Sequence, residues 1–71
     1  MPKRYSSKDV VSGLKKQGFL FSGQSGSHGK FRKTVGNKVL TTIVPMSKKE
    51  IPIGTVKGIM RQAGLKEEDF K

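Results

Sequence analysis

Apolar positions along the chain form two helical stripes that bracket three strand-like runs. Val10, Val11 and Leu14 fall on one face at helical spacing. The stretch opens on Ser6-Ser7-Lys8-Asp9, a serine cap with an acid in the first turn, which satisfies free backbone N–H groups and suits the helix dipole. Gly18 is the expected left-handed stop and Phe19 the hydrophobic closing residue. Gly13 weakens this helix, so its stability has to come from packing. Phe19 to Ser22 reads as a short strand, Gly23 to Ser27 as a glycine- and serine-rich loop, and His28 to Val35 as a second strand. Gly36-Asn37 is a two-residue hairpin turn, Val39 to Val44 a third strand rich in β-branched residues, and Pro45 its stop. After a connection from Met46 to Gly54, the stripe Val56, Ile59, Met60 and Ala63 predicts a second helix from about Thr55 to Ala63. Gly64-Leu65 closes it as Gly18-Phe19 closes the first. Lys66 to Lys71 is a tail of one helical turn with Phe70 as a lone apolar anchor.

The predicted order, α-β-β-β-α, implies a two-layer α+β domain: a three-stranded antiparallel sheet with two helices on one face, the other face open to water or a partner. A length of 71 residues allows one domain, 1–71, with a basic N-terminal arm at 1–5 and an acidic tail at 66–71. No apolar stretch approaches the ~20 residues of a membrane span. No run of signal-peptide length follows Met1-Pro2-Lys3-Arg4, and cysteine is absent, which together fit a cytoplasmic location.

Charge narrows the class of partner. Lys plus Arg number 15 against 5 Asp plus Glu, a formal net charge of +10. Between Val10 and Lys49 no acid offsets Lys15, Lys16, Lys30, Arg32, Lys33, Lys38, Lys48 and Lys49. Such a balance suits a polyanion or an acidic protein, and nucleic acid first, because phosphate neutralisation is where Lys and Arg gain most.

Candidate chemistry is sparse. The chain has one histidine and too few converging ligands for a metal centre, so neither metal nor cofactor is expected. The glycines around Gly23 to Gly29 lack the Gly-Lys-Ser/Thr ending of a nucleotide-binding loop and precede a strand. Strand alternation places His28, Lys30 and Arg32 on one face and Phe31, with Val35 in phase, on the other. Phe31 is the natural core residue, which leaves the trio on the open face. These residue types suit metal-free RNA cleavage. An imidazole can accept the 2′-hydroxyl proton near neutral pH, and cations stabilise charge growing on the phosphoryl oxygens. Water, a cationic side chain or His28 acting twice could protonate the leaving oxygen. The alternative is a non-catalytic RNA-binding module, which the same basic face would serve. A DNA-binding regulator ranks last, since no companion helix precedes the second helix to make a helix-turn-helix.

Gly26-Ser27-His28 with Phe31 three residues on, Val44-Pro45 after the third strand, the run from Gly54 to Leu65, and Gln17-Gly18-Phe19 at the end of the first helix together resemble the HicA toxins. The resemblance spans roughly Ser6 to Leu65. It implies a double-stranded-RNA-binding-domain-like fold and a ribosome-independent mRNA interferase of a type II toxin–antitoxin system. It also implies His28 as the catalytic residue, mRNA as substrate and a HicB antitoxin as partner. The expected RNA contacts are Ser27, Lys30, Arg32, Lys33 and Lys38. The chain departs from the pattern at Gly23, Gln24 and Ser25, where many members carry a basic residue, and at Met46-Ser47, where many carry a second histidine.

Overall fold

The structure, a computed structural model, describes residues 4–70. Met1, Pro2 and Lys3 of the basic arm and Lys71 of the tail lie outside the described residues. The elements are α1 (Ser7–Lys16), β1 (Leu20–Ser25), β2 (His28–Val35), β3 (Lys38–Pro45) and α2 (Ile53–Ala63), followed by a 3-10 turn at Glu67–Phe70. The predicted α-β-β-β-α order therefore holds.

Local chemistry sets both helices. Ser6 caps α1 in a full capping box: its hydroxyl accepts from the Asp9 backbone N–H at 3.1 Å, and the Asp9 carboxylate accepts from the Ser6 N–H at 3.0 Å. At the other end, Phe19 N–H donates to Leu14 C=O at 2.9 Å and Gly18 N–H to Lys15 C=O at 3.0 Å, which is a Schellman stop. Leu65 N–H to Met60 C=O and Gly64 N–H to Arg61 C=O repeat it on α2. The second helix starts two residues before the predicted Thr55, with Pro52 at its N-cap contributing no side-chain bond. Proline fixes its own φ for a helix start, so the chain enters the turn without a serine or aspartate signal.

The sheet is antiparallel in the order β1-β2-β3. Ser25 pairs with His28 and Val35 with Lys38, so each hairpin turns on two residues, Gly26-Ser27 and Gly36-Asn37. The predicted loop at Gly23 to Ser27 is thus mostly strand. A bulge between Phe21 and Gly23 lets β1 continue through polar residues that carry little strand propensity of their own.

Both helices cover one sheet face and bury Val10, Leu14, Phe19, Phe31, Val44, Val56 and Ile59 to 3% exposure or less. Thr42, also fully buried, gives its hydroxyl to the Gln62 side-chain oxygen at 3.1 Å. The packing that α1 needs against its central glycine comes from Phe70. A Cβ on Gly13 would stand 2.8 Å from Cδ2 and 3.0 Å from Cγ of that ring, so only glycine admits it. Phe70 is no lone anchor, because its ring meets Tyr5 edge-on at 5.9 Å between centroids.

Tyr5, assigned by sequence to the arm, is 1% exposed and bridges to Ile51. Burial first, then the nearby carboxylates Glu67 and Asp9, raise its phenol above the ordinary 10.0. The unfolded phenol ionises first, so the native state holds the proton longer and loses stability as pH rises past about 10. Tyr5→Phe is expected to flatten the alkaline fall in melting temperature. Parallel curves for the two proteins between roughly pH 9 and 11 would remove Tyr5 as its source.

Candidate nucleic-acid interface

β2 is the middle strand, and its alternation divides the molecule. Gly29, Phe31, Lys33 and Val35 point to the helix layer; His28, Lys30 and Arg32 point away from it. On the open face His28 stands between Ser25 and Pro45, Lys30 between Gly23 and Ile43, and Arg32 between Leu20 and Thr41. The row of three is about 13 Å long at the usual strand rise. Phe31, 1% exposed, fixes the phase from below. A slip of one residue would turn His28 inward and Phe31 into water.

His28 follows directly on the Gly26-Ser27 turn. Gly26 has φ 59°, the positive value that the first residue of such a tight hairpin requires. The turn is held from two sides: Gln24 donates its side-chain amide to Gly26 C=O at 2.9 Å, and Met46 N–H donates to Ser27 C=O at 2.7 Å. The segment after β3 is itself held by α1. The Ser7 hydroxyl donates to Pro45 C=O and accepts from Lys48 N–H at 2.9 Å, while Ser7 N–H donates to Lys48 C=O at 2.9 Å. Ser7, 6% exposed, thus fastens the first turn of α1 to the strand end that pairs with His28. Nothing in the sequence pattern marks Ser7 for this role, because next to Ser6 it reads as part of the cap.

Beside His28 lies an open groove of about 410 Å³. Its walls are the bulged part of β1, from Ser22 to Ser25, with His28, Lys30 and Ile43. No carboxylate lines it. Among the described residues the acids lie elsewhere: Asp9 in the first turn of α1, Glu50 at 3.6 Å from Arg4, and Glu67, Glu68 and Asp69 in the 3-10 turn.

Residues 7–65 match the HicA toxin of bacterial toxin–antitoxin systems. The chain belongs to the HicA toxin family. A comparison with curated proteins found no match.

The HicA match begins at Ser7, the residue that pins the His28 end of the sheet, and ends at Leu65, the closing residue of α2. It therefore takes in both helices and the whole sheet and stops short of the 3-10 turn. Membership of a toxin–antitoxin family brings an antitoxin partner with it. Among the described residues no helix is long and apolar enough to cross a membrane.

The residues singled out in this HicA chain separate into two groups. His28, Lys30 and Arg32 stand together on the open face, with Ser27 in the adjoining turn. Lys33 and Lys38 do not join them. Lys33 points to the helix side, its Nζ 6.0 Å above the Phe19 ring, and Lys38 pairs with Val35 on that side at the far end of the sheet. Of the two departures from the HicA pattern, Gln24 lines the groove, whereas Met46 packs inward against Gly29 and the core. A Cβ on Gly29 would lie 2.9 Å from the Met46 sulfur. Sequence reasoning passed over Ile43, the apolar wall of the groove; its alternation with the buried Thr42 and Val44 was the available signal.

Proposed function

We propose that this chain is the ribonuclease toxin of a type II pair, an mRNA interferase acting in the cytoplasm with His28 as its general acid and base. The observation that carries this reading is the row His28, Lys30, Arg32 on an open face with no carboxylate, beside an open groove of about 410 Å³. A phosphodiester in the groove lies against Lys30, with Arg32 further along the same face. His28 takes the proton of the 2′-hydroxyl as its oxygen bonds to phosphorus, and Lys30 stabilises the charge that gathers on the phosphoryl oxygens. The bond to the 5′-oxygen then breaks. That oxygen takes a proton from the imidazolium just formed, or from solvent in the groove, leaving a 2′,3′-cyclic phosphate and a 5′-hydroxyl. A HicB antitoxin with an acidic surface neutralises the toxin by covering His28 or displacing RNA.

Purified protein incubated with mRNA supplies the test. Cleavage is expected with a chelator present, and a saturating HicB-type antitoxin is expected to stop it. Loss of activity on chelation would overturn the metal-free step, and full activity in the saturated complex would overturn the mode of neutralisation. RNA left intact, but bound with strong salt dependence, would favour the non-catalytic module. Lys30→Ala is expected to reduce the slope of log affinity against log salt by about 1, as loss of one phosphate contact requires. An unchanged slope would take Lys30 off the phosphate path.

A further inference from the structure

The β1 bulge connects the His28 groove to a second concavity, of about 530 Å³, at the start of the strand. Ser22 lines both. The second is walled by Leu20, Phe21, Arg32 and Lys33, with Gly18 at its edge. Leu20 is 73% exposed on the open face beside Arg32, and Phe21 is 51% exposed on the helix side beside Phe31, so the edge of the sheet is apolar on both faces here.

Arg32 and Lys33 leave β2 on opposite faces, yet both border this hollow. The reason is register: β1 pairs with β2 only as far as Leu20↔Arg32, so Lys33 and Thr34 have no β1 partner and the strand edge is open there. The Lys33 chain runs past Gly18, where a Cβ would meet its Cε at 3.4 Å, and sits over the Phe19 ring. The two cations therefore flank the edge of the sheet. No carboxylate lines the hollow, and among the described residues none pairs with either of them.

A ligand that matches two cations beside an exposed apolar step is an anion carrying a flat apolar group, which describes a nucleotide. We propose that this hollow is a second nucleotide subsite, for an unpaired nucleotide of single-stranded RNA beyond the scissile phosphate. Its base lies on Leu20, on the open face beside Arg32, and its phosphate at the sheet edge between Arg32 and Lys33. The base must be unpaired to lie flat against Leu20, so a duplex does not satisfy the subsite. The strand runs along the β1–β2 seam, from the His28 groove past the bulge, over the roughly 13 Å that separate His28 from Arg32. This inference rests on reading the His28 groove as the cleavage site, and it gives Lys33, which the open-face row leaves aside, a place on the same path.

Uncleavable 2′-deoxy single strands, a dinucleotide and an octanucleotide, separate the two readings, with binding followed by fluorescence anisotropy. Leu20→Ser and Lys33→Ala are each expected to weaken the octanucleotide about fivefold and to leave the dinucleotide unchanged. Lys57→Ala, which removes the same charge from α2, should leave both within about twofold. Leu20 is exposed, so its variant is expected to melt with the wild type. Octanucleotide binding insensitive to Leu20→Ser and Lys33→Ala overturns the subsite, and so does an equal loss in Lys57→Ala, which would mean bulk charge alone. An RNA duplex of the same length bound as tightly as its single strand also overturns it. If ribosomal RNA and mRNA survive the native protein while the octanucleotide still responds to Leu20→Ser, the subsite stands and the cleavage reading fails.

Discussion

Replacing His28 with alanine is expected to lower the rate of RNA cleavage by about 10²–10⁴-fold, the usual worth of a positioned general acid–base group, while the protein stays folded. The side chain is exposed at the end of β2, and Phe31, not His28, supplies the burial that holds the strand, so the melting temperature should hardly move. In a bacterial host the wild type should arrest growth with loss of mRNA, and the variant should do neither. Measured on purified protein, kcat should fall with KM little changed, because the proposed contact of Lys30 with the phosphate is left in place. Cleavage undiminished by the substitution would remove His28 from the chemistry. A large fall in melting temperature would instead show that the imidazole serves the fold.

The largest effect on stability is expected from Phe31→Ala. Its ring is 1% exposed, meets Phe21 at 5.6 Å between centroids, and lies at the centre of the helix-covered face. Truncating such a ring costs about 3–5 kcal/mol. A chain of this length has roughly 4–10 kcal/mol in all, so the variant should melt well over 10 °C lower or fail to fold. Phe21→Ala supplies the contrast: that ring is 51% exposed at the sheet edge, and its loss should cost a small fraction as much. Similar melting temperatures for the two variants would mean that β2 does not hold the phase assigned to it, and the open-face row would fall with that phase.

That phase was readable from the chain because one large aromatic between two cations leaves a single sensible alternation. The same count places Lys33 on Phe31's side, and grouping it and Lys38 with Lys30 by charge passes over this, since charge carries no information about face. Helix ends were legible because Ser6, Gly18 and Gly64 act through bonds within a few residues. The rest depends on contacts distant in sequence. Gly23, Gln24 and Ser25 have the composition of a loop and become strand only because β2 lies beside them. Tyr5 sits outside any periodic run, and its burial needs Ile51 and Phe70, which the fold alone brings near. Ser7 is the clearest case for the site. As a second serine it adds little to a cap, and its partners at Pro45 and Lys48 come close only once the sheet has packed on α1.

The edge-on contact of Tyr5 with Phe70 brings the two extremities of the described chain together on the helix layer. Whatever is fused before Tyr5 or after Phe70 therefore departs from a single spot, on the face opposite Lys30 and Arg32. A fluorophore, a surface tether or a short linker closing the polypeptide into a ring can be attached there on the helix layer, and Gly36-Asn37, a tight turn at the opposite end of β2 from His28, is the natural place to reopen such a ring.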